Sequence, residues 1–168
     1  MTSWQQFSTE APDLAERARA ILSSTTNAVL GTIRADGSPR LSGIDPFFLG
    51  GELWIGSMPD ARKGADLRRD PRVALHGIPW ESRKVRDGAE DPGDGDVKVA
   101  GRAVLLADEA RHAEVMAWFR DERGFEPPGP SDLFEIDLES VVVISVADDL
   151  LQVDRWAATD GRSTVRRS

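Results

Sequence analysis

"GELWIGSMPDARKGADLRRDPRVAL", residues 51–75, changes its period twice and carries the reading of the fold. It begins as an alternating apolar run, the signature of a strand with one buried face. It then crosses a Gly-Ser-Met-Pro-Asp corner and continues as "ARKGADLRRD", residues 61–70, which suits a helix of two to three turns. Asp70-Pro71 ends that helix, because the residue before a proline is pushed out of the helical region. "PRVALHGIPW", residues 71–80, resumes as a strand. The segment is therefore strand, corner, short helix, strand, with Arg62 and Lys63 at the mouth of the helix.

Working outward, "APDLAERARAILSS" places Pro12 near a first turn, Asp13 and Glu16 near the positive helix end, and Leu14, Ala18, Ile21 and Leu22 at helical spacing. It predicts an amphipathic helix over residues 11–23. Residues 27–57 alternate, with turns at "ADGSP" and "LGGE", and read as a three-stranded antiparallel meander. "ESRKVRDGAEDPGDGD", residues 81–96, is dense in Gly, Asp and Pro without apolar periodicity, and predicts an exposed loop joining two strands of one hairpin. "VKVAGRAVLLA" is a further strand. Residues 108–124 form a second helix, with Asp108 as N-cap and Gly124 as stop. Two long strands follow, the first with Phe134, Ile136 and Leu138 alternating against Glu135, Asp137 and Glu139. At least six strands with scattered short helices predict a mostly β (α+β) barrel in a single domain spanning 1–168.

Composition narrows the chemistry. Acids outnumber bases 29 to 21, for a net charge of -8, which argues against general binding of nucleic acid, so any anion site must be local. There is no cysteine, which excludes disulfides and a thiol nucleophile, and having only His76 and His112 argues against a histidine-rich metal centre. His76 reads as a hydrogen-bonded structural histidine and His112 as a surface helix residue. Residues 90–96 have the composition of a calcium loop without its order of ligands. Residues 1–24 lack the pattern of a secretory signal, and no stretch approaches the roughly 18 apolar residues of a membrane span. The expectation is a soluble cytoplasmic protein with no membrane or nucleic-acid partner. A chain so poor in nucleophiles and metal ligands, if an enzyme, borrows its chemistry from a cofactor.

The corner at residues 56–64 is the strongest local signal. A strand ending at Gly56-Ser57 followed by a helix starting near Ala61 sets backbone N–H groups beside Arg62 and Lys63, an arrangement that suits a phosphate monoester. It is not a Walker A loop, since Ala-Arg stands where Gly-Lys is required and no Ser or Thr follows Lys63. Spacing alone leaves a second reading open, in which Arg62, Lys63, Arg68 and Arg69 are only the solvated face of a small helix. The tail "VDRWAATDGRSTVRRS" is equally open between a frayed basic terminus and a Trp-Arg cluster for a ring bearing an acidic group.

These stretches together resemble the pyridoxamine 5'-phosphate oxidase-like proteins, whose fold is the six-stranded FMN-binding split β-barrel and which include the coenzyme F420-dependent reductases. The resemblance spans about residues 27–167 and is most specific at Ser57-x-x-x-Ala61-Arg62-Lys63 followed by Leu67-x-x-Asp70-Pro71-x-Val73. It implies a homodimer with FMN, or alternatively F420, at the subunit interface. Arg62 and Lys63 would hold the phosphate, Gly56 and Ser57 line the ring, and Ser42, Gly43, Ile44 and Asp45 run along it. It further implies Trp156 as a cofactor contact from the partner, Arg166 as a second cofactor-contacting arginine and Arg162 as a substrate contact. No side chain would be an obligatory catalyst. The implied activity is hydride or two-electron transfer with a small organic substrate, or, in an alternative reading, a non-catalytic flavin carrier or sensor. Where the oxidase itself has a flavin-contacting glutamine this chain has about Asp96, with Lys98 nearby. Its Arg-x-His substrate motif is here Arg162-Ser163-Thr164, so the departures point away from pyridoxamine 5'-phosphate as substrate.

Overall fold

The computed structural model describes residues 1–24, 27–77, 95–124 and 131–167. Much of the predicted 81–96 loop, including most of the calcium-like stretch, lies outside those residues. Two helices, α1 (Trp4–Glu10) and α2 (Pro12–Ser24), precede β1 (Ala28–Ile33), β2 (Pro39–Ile44), β3 (Phe47–Leu49) and β4 (Glu52–Ser57). Helix α3 (Arg62–Arg69) and β5 (Arg72–Gly77) follow, then β6 (Asp96–Leu105), α4 (Glu109–Arg123), β7 (Asp132–Ala147), β8 (Leu150–Ala157) and β9 (Gly161–Arg167). The fold is mostly antiparallel β sheet with short helices, and it is the split barrel that the sequence implied.

The sheet runs β2-β1-β5-β6-β7-β4-β3, with β8 paired to β7 and β9 to β8. Strand β7 causes the split. Its first residues, Asp132 to Glu135, pair with β4, whereas Ser140 to Ala147 pair with β8, so one long strand serves two partners on the same edge. On its other edge it pairs with β6, with a register shift between Ala100 and Gly101. Only glycine fits there, because a Cβ on Gly101 would lie 2.2 Å from the Asp137 carbonyl oxygen.

One expectation needs correction. Residues 27–57 form two hairpins, β1–β2 and β3–β4, on opposite ends of the sheet path instead of one meander. The break falls at Asp45-Pro46, where the proline removes a ladder N–H and restricts the residue before it. The described residues hold nine strands, in keeping with the reading of at least six, since that break divides one of the seven strand runs and the tail adds β9. That tail is ordered by pairing along β8, although "GRSTVRR" has no apolar alternation to announce it. Residues 1–24, read as an N-terminal helical segment with an amphipathic helix over 11–23, hold a further helix, α1, ahead of it. Its Ser3 side chain caps Gln6 N–H at 2.9 Å, and Trp4 and Phe7 are buried.

The remaining elements stand as predicted. Helix α3 ends at Asp70, α4 starts from Asp108 and stops at Gly124 in the left-handed region, and β5 pairs directly with β6. The main core places Leu14, Ile21 and Leu22 of α2 against Leu30, Leu75, Val99, Phe134 and Val141. A second, smaller core under α4 gathers Phe47, Trp54, Val115 and Leu133. No helix among the described residues is long and apolar enough to cross a membrane.

Candidate functional site

The corner between β4 and α3 is shaped by packing beneath it. Gly64, in the first turn of α3, leaves no room for a side chain, since a Cβ would meet Ser57 Oγ and Asp132 Oδ2, each at 2.8 Å. One turn on, Asp66 is buried and accepts hydrogen bonds from Arg40 Nε at 2.6 Å, Thr32 Oγ1 at 3.0 Å and Arg69 at 3.3 Å. Burial pushes the Asp66 carboxyl up, but these donors together hold its pKa below the usual value. Helix α3 is thereby pinned to β1 and β2.

This anchoring sorts the four cations of α3. Arg69 is spent on Asp66 and the Ile33 carbonyl, and Arg68 on Asp132. Lys63 donates to the Gly43 carbonyl at 2.9 Å, and burial pushes its pKa down. Arg62 is exposed and makes no ion pair or hydrogen bond with the described residues. The end of α3 that these two residues flank is also uncapped. Ala61 offers no side-chain acceptor and the first turn has no acid, whereas α1 is capped by Ser3 and α4 by Asp108. Free N–H groups and the positive helix end thus stand beside two cations.

A cavity of about 720 Å³ opens beside this corner. Gly43, Ile44 and Asp45 from the end of β2 form one wall, and Gly56, Ser57, Met58 and Lys63 from the β4–α3 corner form another. Phe119 and Arg123 of α4, with Ser131, Leu133 and Asn27, complete it. Charged groups at the wall are Lys63, Arg123 and Asp45, a net positive lining in a protein of net charge -8. The buried Ser131 hydroxyl has no hydrogen-bond partner among the described residues. The volume lies within the roughly 300–1,000 Å³ of small-molecule sites.

Of the residues singled out in the sequence, the cavity brings together Gly43, Ile44, Asp45, Gly56, Ser57 and Lys63. Ser42 is half-buried on β2 and does not line it, and Arg62 stays outside the wall. The C-terminal candidates sit elsewhere and are engaged within their own chain. Trp156 is fully buried, its indole N–H donates to Glu10 at 2.9 Å, and its ring lies 4.8 Å from that of Phe7. Arg162 holds Asp13 through two hydrogen bonds of 2.5 and 2.7 Å, and Arg166 donates to Gln152 at 3.1 Å. Within its own chain Trp156 is therefore a core residue beneath α1.

Residues 14–145 match the family described as Pyridoxamine 5'-phosphate oxidase. The chain belongs to that family. No curated protein matches the sequence. Among solved structures, this pyridoxamine 5'-phosphate oxidase family member is similar to PhzG from Burkholderia lata 383 in complex with tetrahydrophenazine-1-carboxylic acid, with a TM-score of 0.65 at 13% identity over 98% of this chain and 92% of that one. A pyridoxamine 5'-phosphate oxidase-related, FMN binding protein from Nostoc punctiforme gives 0.60 at 12% identity over 94% of each chain. An F420 reductase gives 0.51 at 17% identity over 73% of this chain and 94% of that one. A heme binding protein from Mycobacterium smegmatis shares the fold too. The shared architecture serves different ligands, so the ligand has to be argued from the site.

Sequence reasoning missed Asn27, Met58, Phe119, Arg123, Ser131 and Leu133. Met58 lies within the corner itself but carries no polar signal, whereas Phe119 and Arg123 reach it only when α4 packs over β3 and β4, and Asn27, Ser131 and Leu133 only when β1 and β7 take their places in the sheet. His76 is the structural histidine expected, 2.6 Å from Asp96. His112 differs from its expected surface role, as its Nε2 lies 2.8 Å from the Ser131 carbonyl and tethers the cavity wall to α4. Among the described residues no group of His, Asp and Glu gathers as a metal site.

Proposed function

We propose that this protein is a flavin-type oxidoreductase that binds a phosphate-bearing tricyclic cofactor, FMN or its F420 counterpart, in the cavity beside α3. The observation that carries this reading is the uncapped α3 N-terminus opening beside a net-positive cavity, with Lys63 in the wall. Lys63 and the first amides of α3 would hold the phosphate, with Arg62 reaching from the rim. Gly43 and Gly56 leave backbone close to a ring, and Ile44, Met58 and Leu133 offer it an apolar bed. The Ser131 hydroxyl, without a partner among the described residues, would be available to a polar ring atom. When bound, such a cofactor supplies hydride or two-electron transfer to a small organic substrate. The chain's own part is to bind, orient and exclude water.

A second copy of the chain is part of this proposal. The pairing registers align Gly43, Val29, His76, Lys98 and Val142 in one row across the outer sheet face. Leu41, Val29, Val146, Leu151 and Val165 lie exposed on the same side. An apolar face of this extent calls for a cover, and because Gly43 also lines the cavity, a partner seated there would border the cofactor. Sedimentation equilibrium should return a dimer, and a monomer would remove this part of the proposal.

Separate fluorescence titrations with FMN and F420 test the main reading. One of the two should bind, and Lys63→Ala should weaken it by about 1.5–3 kcal/mol, the worth of a charge-assisted hydrogen bond. Binding of neither would overturn the proposal. Binding without steady-state consumption of a reductant across a panel of acceptors would make the protein a carrier and not an enzyme.

A further inference from the structure

Arg123 and Asp45 meet at the cavity wall, and the cofactor reading counts their charges without giving Arg123 a contact of its own. Arg123 is the last residue of α4 and Asp45 follows β2, so the two come from separate elements that converge only here. Their contact is a single one of 3.2 Å, with side chains 35% and 43% exposed. That is long for a charge-assisted pair, which closes to about 2.7–2.9 Å when well formed. The Arg162–Asp13 pair of this same chain reaches 2.5 and 2.7 Å through two nitrogens. The Arg123 guanidinium therefore has donors to spare and a carboxylate that can be exchanged. It is also held in place, since it lies 5.7 Å from the Trp118 ring, which packs edge-on against Phe119. Phe119, one turn before Arg123, presents an aromatic side chain to the same cavity.

We infer that Arg123 is a binding group for the carboxylate of a planar organic acid, and that Asp45 occupies its place when no acid is bound. This rests on the proposed function, for it names the substrate class of the same cavity. Lys63 and α3 would take the cofactor phosphate on one wall, leaving Arg123 as the second cation on the opposite wall. Phe119 supplies stacking area to the ring of the acid. A guanidinium suits this task because its planar fork matches a carboxylate with two parallel hydrogen bonds, which Asp45 does not provide. The competing account is that Arg123 only complements the negative end of α4. That account predicts an effect on stability and no preference among ligands.

The test uses benzoate and its neutral isostere benzamide as probes, titrated calorimetrically into the intact chain. Benzoate should bind about tenfold more tightly than benzamide, a difference of ~1.4 kcal/mol. Arg123→Gln should abolish that preference, and Asp45→Asn should tighten benzoate by about threefold, the scale of a released exposed ion pair. Equal affinities for the two probes in the native chain would overturn the inference, as would no benzoate binding by both the native chain and Asp45→Asn. A preference that survives Arg123→Gln but vanishes in Lys63→Ala would assign the acid to α3 and overturn it as well. Parallel titrations with FMN and F420 keep the two readings apart. Binding of neither with the benzoate preference intact removes the cofactor and leaves the acid site, and binding of one without the benzoate preference removes only the acid site.

Discussion

The β4–α3 corner and the β8–β9 hairpin each offer arginines and a polar edge, yet they are opposite in electrostatic completion. In the hairpin every named cation or indole is answered inside the chain. Arg162 meets Asp13, Arg166 meets Gln152, Trp156 meets Glu10, and Arg17 meets Asp154. At the corner the helix is uncapped, Arg62 has no such partner, and Lys63 is half-buried against a single carbonyl. Saturated polar groups hold a fold together, and unsatisfied ones at a cavity wall await a ligand. The contacts of the first region are therefore structural, and the second is the site we propose.

The largest expected effect breaks the hairpin side of this contrast. Trp156→Ala should cost about 3–5 kcal/mol of stability, as for other fully buried large aromatics, read as a fall in the denaturant midpoint. If the variant kept its stability but lost cofactor affinity, the assignment of the two regions would be reversed.

Asp154 gives the next effect. Burial pushes its carboxyl up, but hydrogen bonds from Thr164, Arg17 and Gln152 outweigh that and hold its pKa at about 2. Because the folded pKa lies below the unfolded one, this stability is full above the ordinary Asp value and fades as pH falls through about 2. Asp154→Asn should lose about 2 kcal/mol at neutral pH. The gap from the native chain should narrow as denaturation is followed from pH 5 toward pH 2.

At the corner, Lys63→Ala should reduce cofactor affinity by roughly 10–150-fold while moving stability by less than about 1 kcal/mol. Since burial lowers the Lys63 pKa, affinity should also fall at alkaline pH sooner than for an ordinary lysine, which a pH series of titrations would read. The smallest effect belongs to Arg162→Ala, which removes an exposed pair worth less than about 1 kcal/mol. It should leave cofactor affinity unchanged, and a loss of affinity there would return the tail to the site.

Legibility followed the range of the interactions. Helices α2, α3 and α4 were readable because periodicity, the Asp108 cap, the Gly124 stop and the Asp70-Pro71 break all act within a turn or two. The Gly56-Ser57 to Lys63 corner was readable for the same reason. The meander failed because local alternation shows that strands exist but not which strands pair. Whether β2 adds to β3 or β1 is settled by the proline at 46 and by where β7 offers an edge. The tail differs in another way, for its Arg and Trp side chains look available in one dimension and are engaged by α1, α2 and β8 in three. Their partners stand 149 positions away in Arg162–Asp13 and 146 in Trp156–Glu10.

What the sequence alone determined is the class of fold, the placement of a cationic helix start after a strand, and the family. All of these depend on neighbours along the chain. Only the tertiary structure decided which cations remain available, that α4 supplies Phe119 and Arg123 to the cavity, and that Trp156 belongs to the core. Each of those outcomes depends on long-range packing that brings an acid, a carbonyl or a ring from a distant segment to within hydrogen-bonding or contact distance. The charge of a side chain is written in the sequence, but its availability is set by what folds against it.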